Sequence, residues 1–141
     1  MRIKFASQKG SVLVEFGFIL PLLVVITFGI IEFGVLIYNQ QIITNASREG
    51  ARAGIVASAT RLPDTGANSI DSVVQKYCAT YLVTFGAQNS PTTVVTHPNT
   101  SFGNPLTVQV KYIYSFLVIP NFIPAINKIK NMQATTVMRY E

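Results

Sequence analysis

The stretch FGFILPLLVVITFGIIEFGVLI, residues 16–37, decides how the rest of this sequence is interpreted. Its 22 positions contain one charged residue, Glu32. A helix of this length extends roughly 33 Å at about 1.5 Å per residue, which is enough to cross the hydrocarbon core of a bilayer. The sequence therefore predicts a membrane-spanning helix near the N-terminus and a folded portion smaller than 141 residues would otherwise suggest.

The charges around this stretch predict its orientation. Arg2, Lys4 and Lys9 precede it, with no acidic residue among them. The positive-inside rule then leaves the N-terminus in the cytoplasm and the rest of the chain on the other side of the membrane. These three residues contribute three of the five positive units in the net charge of +5. The remaining charges form no basic stripe, so we expect no nucleic-acid partner.

Two ordinary interpretations of the N-terminal segment compete. A secretory signal peptide has an apolar region of roughly 7–15 residues followed by a small-residue cleavage site. The apolar stretch here is longer, and the A-x-A matches at residues 51–53 and 57–59 lie far beyond it. A plain membrane anchor fits both length and orientation, but it leaves Gly10, Ser11 and Glu15 unexplained.

Four features of residues 10–54 match a more specific pattern. They are VEF at 14–16, Pro21, a second IEF at 31–33 and REGAR at 48–52. Taken together, they make this segment resemble the N-terminal signature of TadE-like proteins. These are minor pilins, or pseudopilins, of the tight-adherence branch of type IV pili.

The resemblance implies a leader of residues 1–10, removed by a prepilin peptidase between Gly10 and Ser11. Glu15 and Phe16 would then be the fifth and sixth residues of the mature chain. The implied partners are other pilin subunits and the pilus assembly machinery, driven by a separate ATPase because the sequence lacks a Walker-type phosphate-binding loop. We expect no cofactor, no metal ion and no enzymatic activity.

Glu15 needs a physical explanation at the edge of an apolar run. An ionised group in hydrocarbon costs on the order of several kcal/mol unless it is paired. Cleavage would place a new α-amine on Ser11, and we expect Glu15 to pair with this amine on a neighbouring subunit. The simpler alternative is a glutamate in the first helical turn, favoured by the helix dipole and within reach of the headgroups.

Two further residues interrupt the apolar run. Glu32 can pair with a cation of another subunit or assembly protein, or it can extend to the outer headgroups. Pro21 removes one backbone hydrogen bond and can kink the helix. The resemblance implies that the helix bends or loosens there during assembly.

The helical pattern continues past the apolar run, and one helix is predicted from near Ser11 to near Ala59, forming the segment 11–60. Small residues recur along it every four positions, at Ala46, Gly50, Gly54 and Ser58. Such a stripe allows close approach of another backbone, either in the protein's own sheet or in a neighbouring subunit.

Arg48, Glu49 and Arg52 lie within one turn of this helix. Their simplest interpretation is a solvated face with a weak i,i+3 ion pair worth a few tenths of a kcal/mol. The alternative is a set of inter-subunit bridges just outside the membrane.

Residues 61–141 are predicted to form a small extracytoplasmic α+β domain. RLPDTGA at 61–67 indicates a turn, and apolar spacing from Ile70 to Phe85 indicates an amphipathic helix capped by Asn68 or Ser69. Strands are predicted at 92–96, 106–116 and 134–140. We expect about three antiparallel strands, covered by this helix and the outer half of the long helix.

The stretch FLVIPNFIP, residues 116–124, is apolar for a connection. It can cover the core or form an exposed contact patch. The sequence holds one histidine, His97, and one cysteine, Cys78, and no catalytic constellation emerges.

The sequence thus predicts a structural pilus component that supports pilus biogenesis and adhesion. The alternative is a permanently membrane-anchored protein with an extracytoplasmic binding or tethering domain, distinguished by retention of the leader. A secreted enzyme would need cleavage after the apolar run and a catalytic set that is not evident.

Overall fold

The computed structural model of the chain describes residues 8–56, 61–86, 89–117 and 129–141, with side chains described from residue 10 onward. Two helices precede three strands: α1 is Gln8–Ile55, α2 Ile70–Tyr81, β1 Thr92–Thr96, β2 Pro105–Ser115 and β3 Ile129–Arg139. The strands form one antiparallel sheet in the order β1-β2-β3. The predicted α+β class, with a long apolar N-terminal helix, is confirmed.

Helix α1 is 48 residues long and runs without interruption through Pro21. It ends at Ile55, earlier than the predicted end near Ala59, and the Arg61 guanidinium donates a hydrogen bond of 3.3 Å to the Ile55 carbonyl. Residues 57–60 lie outside the described part of the chain, as do residues 1–7 of the predicted leader.

Helix α2 begins at a reciprocal cap. The Ser69 hydroxyl accepts from the Ser72 amide at 3.0 Å, and the Ser72 hydroxyl accepts from the Ser69 amide at 2.8 Å. One of the two predicted caps is thus confirmed. The helix stops at Tyr81, whereas the apolar spacing predicted helix up to Phe85. The chain leaves helical geometry there because the Val83 backbone bonds to Asn39 of α1.

The central strand β2 supplies the middle of the core. Its inward side chains are buried while the alternate ones are exposed or half-buried, as the period of two predicted. The buried ones are Leu106, Val108, Val110, Tyr112 and Tyr114. β3 pairs with β2 from Ile129 to Arg139, so it starts five residues before the predicted position at Ala134. Its first three residues are all exposed, and no apolar alternation marks them.

The second half of α1 packs directly on this core, as predicted. A Cβ atom added at Gly50 would lie 2.6 Å from Val74 Cγ2, and one at Gly54 would lie 2.6 Å from the ends of Ile70 and Leu106. The small-residue stripe therefore faces the protein's own domain at these two positions. Its fourth member, Ser58, lies outside the described residues.

Replacing Gly50 by alanine should destabilise the domain. Val74 has a stiff side chain, and overpacking typically costs about 1–3 kcal/mol, against about 1 kcal/mol of helix propensity gained by alanine. Gly54→Ala should cost less because the ends of Ile70 and Leu106 can rotate away. Gly34→Ala, with no atom within 4 Å of the new methyl group, is the control. Thermal unfolding of the three variants in nanodiscs checks this; equal stability of G50A and G34A would contradict it.

Candidate functional site

The first part of α1 presents an uncovered apolar surface. An 18-residue window in this helix has a mean hydropathy of 2.5, and the helix is long and apolar enough to cross a membrane. From Gly10 to Ile31 each side chain is exposed or half-buried. Phe18 and Ile30 are 78% and 71% exposed. The protein's own domain therefore leaves this surface available to lipid or to other helices.

The predicted processing residues lie at the start of this exposed surface. Gly10, Ser11, Glu15 and Phe16 all occupy exposed positions on α1. The Ser11 hydroxyl lies 3.4 Å from Glu15 Oε1, one helical turn away. A carboxylate near the helix start is thus presented outward, where a lipid headgroup or another chain can reach it.

Glu32 is the first buried residue of α1 in the described part of the helix and is 4% exposed. Its carboxylate accepts a hydrogen bond from the backbone N–H of Leu117, just beyond the end of β2. Neither predicted alternative included this contact, whose donor is a backbone group of the same chain. The two residues are 85 positions apart, and nothing in the sequence links them. The expected pairing of Glu32 with another subunit or its approach to the headgroups stays a prediction.

Asn39 makes a structural contact that the sequence did not indicate. Its side chain is completely buried. The amide nitrogen donates to the Val83 carbonyl at 2.8 Å, and the amide oxygen accepts from the Val83 N–H at 3.0 Å. The side chain thereby bonds to both backbone groups of Val83, as a paired β-strand would. These bonds connect the chain just after α2 to α1. The available signal was the polar residue Asn39 on the helix face that also carries the apolar residues Ile43 and Ala46.

Two further contacts set the register of α1 along β3. Gln40 donates to the Gln133 carbonyl at 3.0 Å, and the hydroxyls of Ser47 and Thr136 are 2.7 Å apart. Seven helical residues rise about 10.5 Å and three strand residues about 10 Å, so the two spacings agree. Helix and strand therefore run in the same direction with matched contacts.

The charged turn of α1 faces solvent. Arg52 Nη2 lies 2.6 Å from Glu49 Oε1, with side chains 68% and 39% exposed, and Arg48 is exposed beside them. The hydrogen bond from Arg52 lowers the pKa of Glu49. These contacts fit the simpler interpretation, a weak ion pair worth a few tenths of a kcal/mol. The alternative role in inter-subunit bridges stays a prediction.

Cys78 and His97, the residues whose side chains could in principle act in catalysis, both make structural contacts. Cys78 is buried in the core, and this burial raises the pKa of its thiol to about 11, so the thiol is neutral near pH 7. His97 Nε2 lies 3.2 Å from the Asp64 carboxylate, and its ring packs edge-on against Tyr140. Within the described ranges, no group of three His, Cys, Asp or Glu residues is suited to hold a metal ion.

A small α+β domain carried on one long helix, whose first half is apolar and uncovered, fits the class of single-pass membrane proteins. Within that class, the sequence model of the TadE-like protein family matches residues 10–52. The predicted resemblance is thus confirmed, and the match indicates a protein associated with tight-adherence pili. No curated protein and no solved structure gave a match.

Asn39→Ala should lower the free energy of unfolding by about 1–3 kcal/mol, because it removes the hydrogen-bond partner of both backbone groups of the half-buried Val83. Gln41→Ala, at an exposed position of the same helix, is the matched control and should have little effect. Chemical denaturation gives the stability, and hydrogen exchange reports the Val83 amide. Unchanged protection of that amide in N39A would contradict the contact.

Alkaline stability should depend on Tyr114. Burial raises the pKa of its hydroxyl to about 12, and this hydroxyl has no hydrogen-bond partner among the described residues. The unfolded chain releases the proton near pH 10, while the folded chain keeps it until about 12, so stability falls as pH rises through this window.

Tyr114→Phe should therefore be neutral or stabilising at pH 7 and should reduce the loss of stability between pH 10 and 12. Tyr81→Phe, at a side chain that is 48% exposed, is the control. Unfolding midpoints measured from pH 7 to 12 test this. Identical alkaline curves for Y114F and the unmodified chain would contradict it.

Proposed function

We propose that this chain is a minor pilin or pseudopilin of a tight-adherence pilus. It is made as a single-pass precursor of the bacterial inner membrane, with a cytoplasmic N-terminus and an extracytoplasmic α+β domain. The observation that carries this proposal is the position of the TadE-like match. Residues 10–52 coincide with α1, whose apolar surface the protein's own domain leaves uncovered as far as Ile31.

The uncovered half of α1 has two successive environments in this proposal. Before assembly, its apolar side chains face lipid, which solvates them without exposing them to water. During assembly, helices of other pilin subunits replace the lipid in a bundle. Because the domain is held by contacts from Glu32 onward, it can follow the helix as one body into the pilus.

Processing by a prepilin peptidase between Gly10 and Ser11 prepares the helix for this step. The new Ser11 amine is positively charged, and it lies one turn from Glu15. A carboxylate in an apolar bundle is stabilised by an opposite charge at short distance. Glu15 of an incoming subunit therefore pairs with the Ser11 amine of its neighbour and sets their axial register.

The rest of the chain has a structural role. Its domain is stabilised by its own core, and the proposal assigns it no catalytic step. The energy for assembly comes from an ATPase outside this chain. The partners are the peptidase, other pilin subunits, the assembly machinery and the bilayer, and the outcome is pilus biogenesis in support of adhesion.

The unmodified chain should start at Ser11 when purified from cells with an active prepilin peptidase, and at residue 1 without the enzyme. Gly10→Val should stay uncleaved, whereas Gly17→Val should be cleaved normally. Both glycines have open space around them, so neither change should disturb folding. Intact mass and N-terminal sequencing provide the readout.

Retention of residues 1–10 in the presence of the active peptidase would contradict the pilin proposal. That result would favour a permanently anchored protein with an extracytoplasmic binding or tethering domain. A chain that starts beyond Ile37 would contradict both and indicate a secreted protein.

Glu15→Ala should leave cleavage intact but reduce recovery of the chain with sheared pili or with other pilin subunits several-fold. The reason is the loss of the carboxylate that pairs with a neighbouring Ser11 amine. Gln41→Ala changes an exposed polar side chain of the same helix and serves as control. Quantitative immunoblotting of pilus and membrane fractions measures the effect, and equal recovery of E15A and Q41A would rule out the pairing.

A further inference from the structure

One end of the domain carries exposed apolar side chains from three separate segments. Phe85, Leu117 and Ile129 are 50%, 58% and 57% exposed. Phe85 lies in the turn after α2, Leu117 just beyond β2 and Ile129 at the start of β3. We call these three residues the membrane-side rim.

The contacts of α1 place the rim at one level of the helix. Leu117 donates its backbone N–H to Glu32, and Ile129 pairs with Ser115, two residues before Leu117. A small cleft of about 90 Å³ joins Phe85 and Leu117 to α1. It is lined by Phe28, Ile31, Glu32, Phe85 and Leu117.

At this level the domain begins to cover one face of α1, since Glu32 is buried while Phe33 and Ile37 are still 49% and 60% exposed. Residues 10–31 make a helical segment of roughly 33 Å, which matches the hydrocarbon thickness of a bilayer. A membrane crossed by this segment has its surface at the rim. The inference rests on the proposed function in this respect, since it requires α1 to span the bilayer.

The chemistry of the rim also suits a membrane surface. Phenylalanine and leucine side chains insert at the boundary between headgroups and acyl chains in proteins that lie on a membrane, and Lys130, exposed beside Ile129, can reach lipid phosphates. Glu32, the carboxylate at this level among the described residues, is buried. Phe85 keeps a left-handed backbone, with φ of 46°, which is unfavourable for a residue with a side chain. That backbone presents a half-exposed ring at the place where lipid begins.

We infer that the membrane-side rim rests on the bilayer that α1 crosses, with Phe85 and Leu117 inserted at the boundary between headgroups and acyl chains. Lipid is the favoured partner because the rim is continuous with the uncovered apolar surface of α1. The rim thus holds the domain upright on the membrane before the chain enters a pilus, with Lys130 facing the lipid phosphates.

The chain contains no tryptophan, so single tryptophan reporters can be introduced without background. Three variants of the full-length chain are compared in nanodiscs loaded with one chain each: Phe85→Trp at the rim, Phe18→Trp in the spanning segment and Phe102→Trp. Phe102 is 85% exposed in the connection that leads into the opposite end of β2. Phosphatidylcholine brominated on its acyl chains quenches fluorescence from the lipid, and acrylamide quenches it from water.

Brominated lipid should quench F18W and F85W, and bromines near the headgroup should act most strongly on F85W. F102W should respond to acrylamide alone. If F18W is quenched by lipid while F85W behaves like F102W, the rim inference is overturned and the spanning helix stands. If F18W is not quenched by lipid either, the proposed membrane span itself fails.

A second copy of the chain is the competing occupant of the rim. Nanodiscs loaded with two chains separate the two cases. Protection of F85W from acrylamide that appears only with two chains per disc would overturn the lipid inference and assign the rim to subunit contact. Protection that is equal at one and two chains per disc supports lipid.

Discussion

The close approach of α1 to the inner face of the sheet is the constraint on which the rest of the structure depends. β2 buries five large side chains on one face, and α1 covers them by placing Gly50 and Gly54 where any side chain would collide with the core. The second half of α1 is thereby part of the domain. Because the helix is continuous, its first half projects beyond the domain with apolar side chains that the domain cannot cover. A membrane or a bundle of similar helices is the environment that such a surface requires.

Polar contacts fix the position along α1 at which the uncovered half ends and the half that belongs to the domain begins. Glu32, Asn39, Gln40 and Ser47 bond to the end of β2, to the chain after α2 and to β3. Glu32, Asn39 and Ser47 are buried, and buried polar groups tolerate few alternative arrangements because an unpaired one costs about 1–3 kcal/mol. A shift of the helix by one turn would break all four contacts at once. The domain is therefore held at a defined distance from the N-terminus, and Glu15 stays near the far end of a segment of bilayer length.

Local signals in the sequence predicted the elements that a single periodicity controls. The apolar run with its TadE-like features predicted α1, strict alternation predicted β2, and Ser69 predicted the start of α2. The features that the sequence did not predict depend on contacts between residues that are far apart in the chain. Asn39 ends α2 early by binding Val83, 44 positions away, and Glu32 finds its partner 85 positions away. The early start of β3 depends on pairing with β2, because the exposed residues from Ile129 onward show no alternation. Residues 118–124 of the predicted apolar connection lie outside the described part of the chain.

The most direct test of this account is a spin-label scan along the outward face of α1, with the full-length chain in a bilayer. Labels at Phe18, Leu22 and Ile30 probe the uncovered half, and labels at Gln41, Asn45 and Arg48 probe exposed positions of the half that carries the domain. Oxygen dissolved in lipid should relax the first three labels and a water-soluble nickel reagent should relax the last three, with the change close to residue 32. Nickel access at positions 18–30, or lipid exposure at positions 41–48, would contradict it.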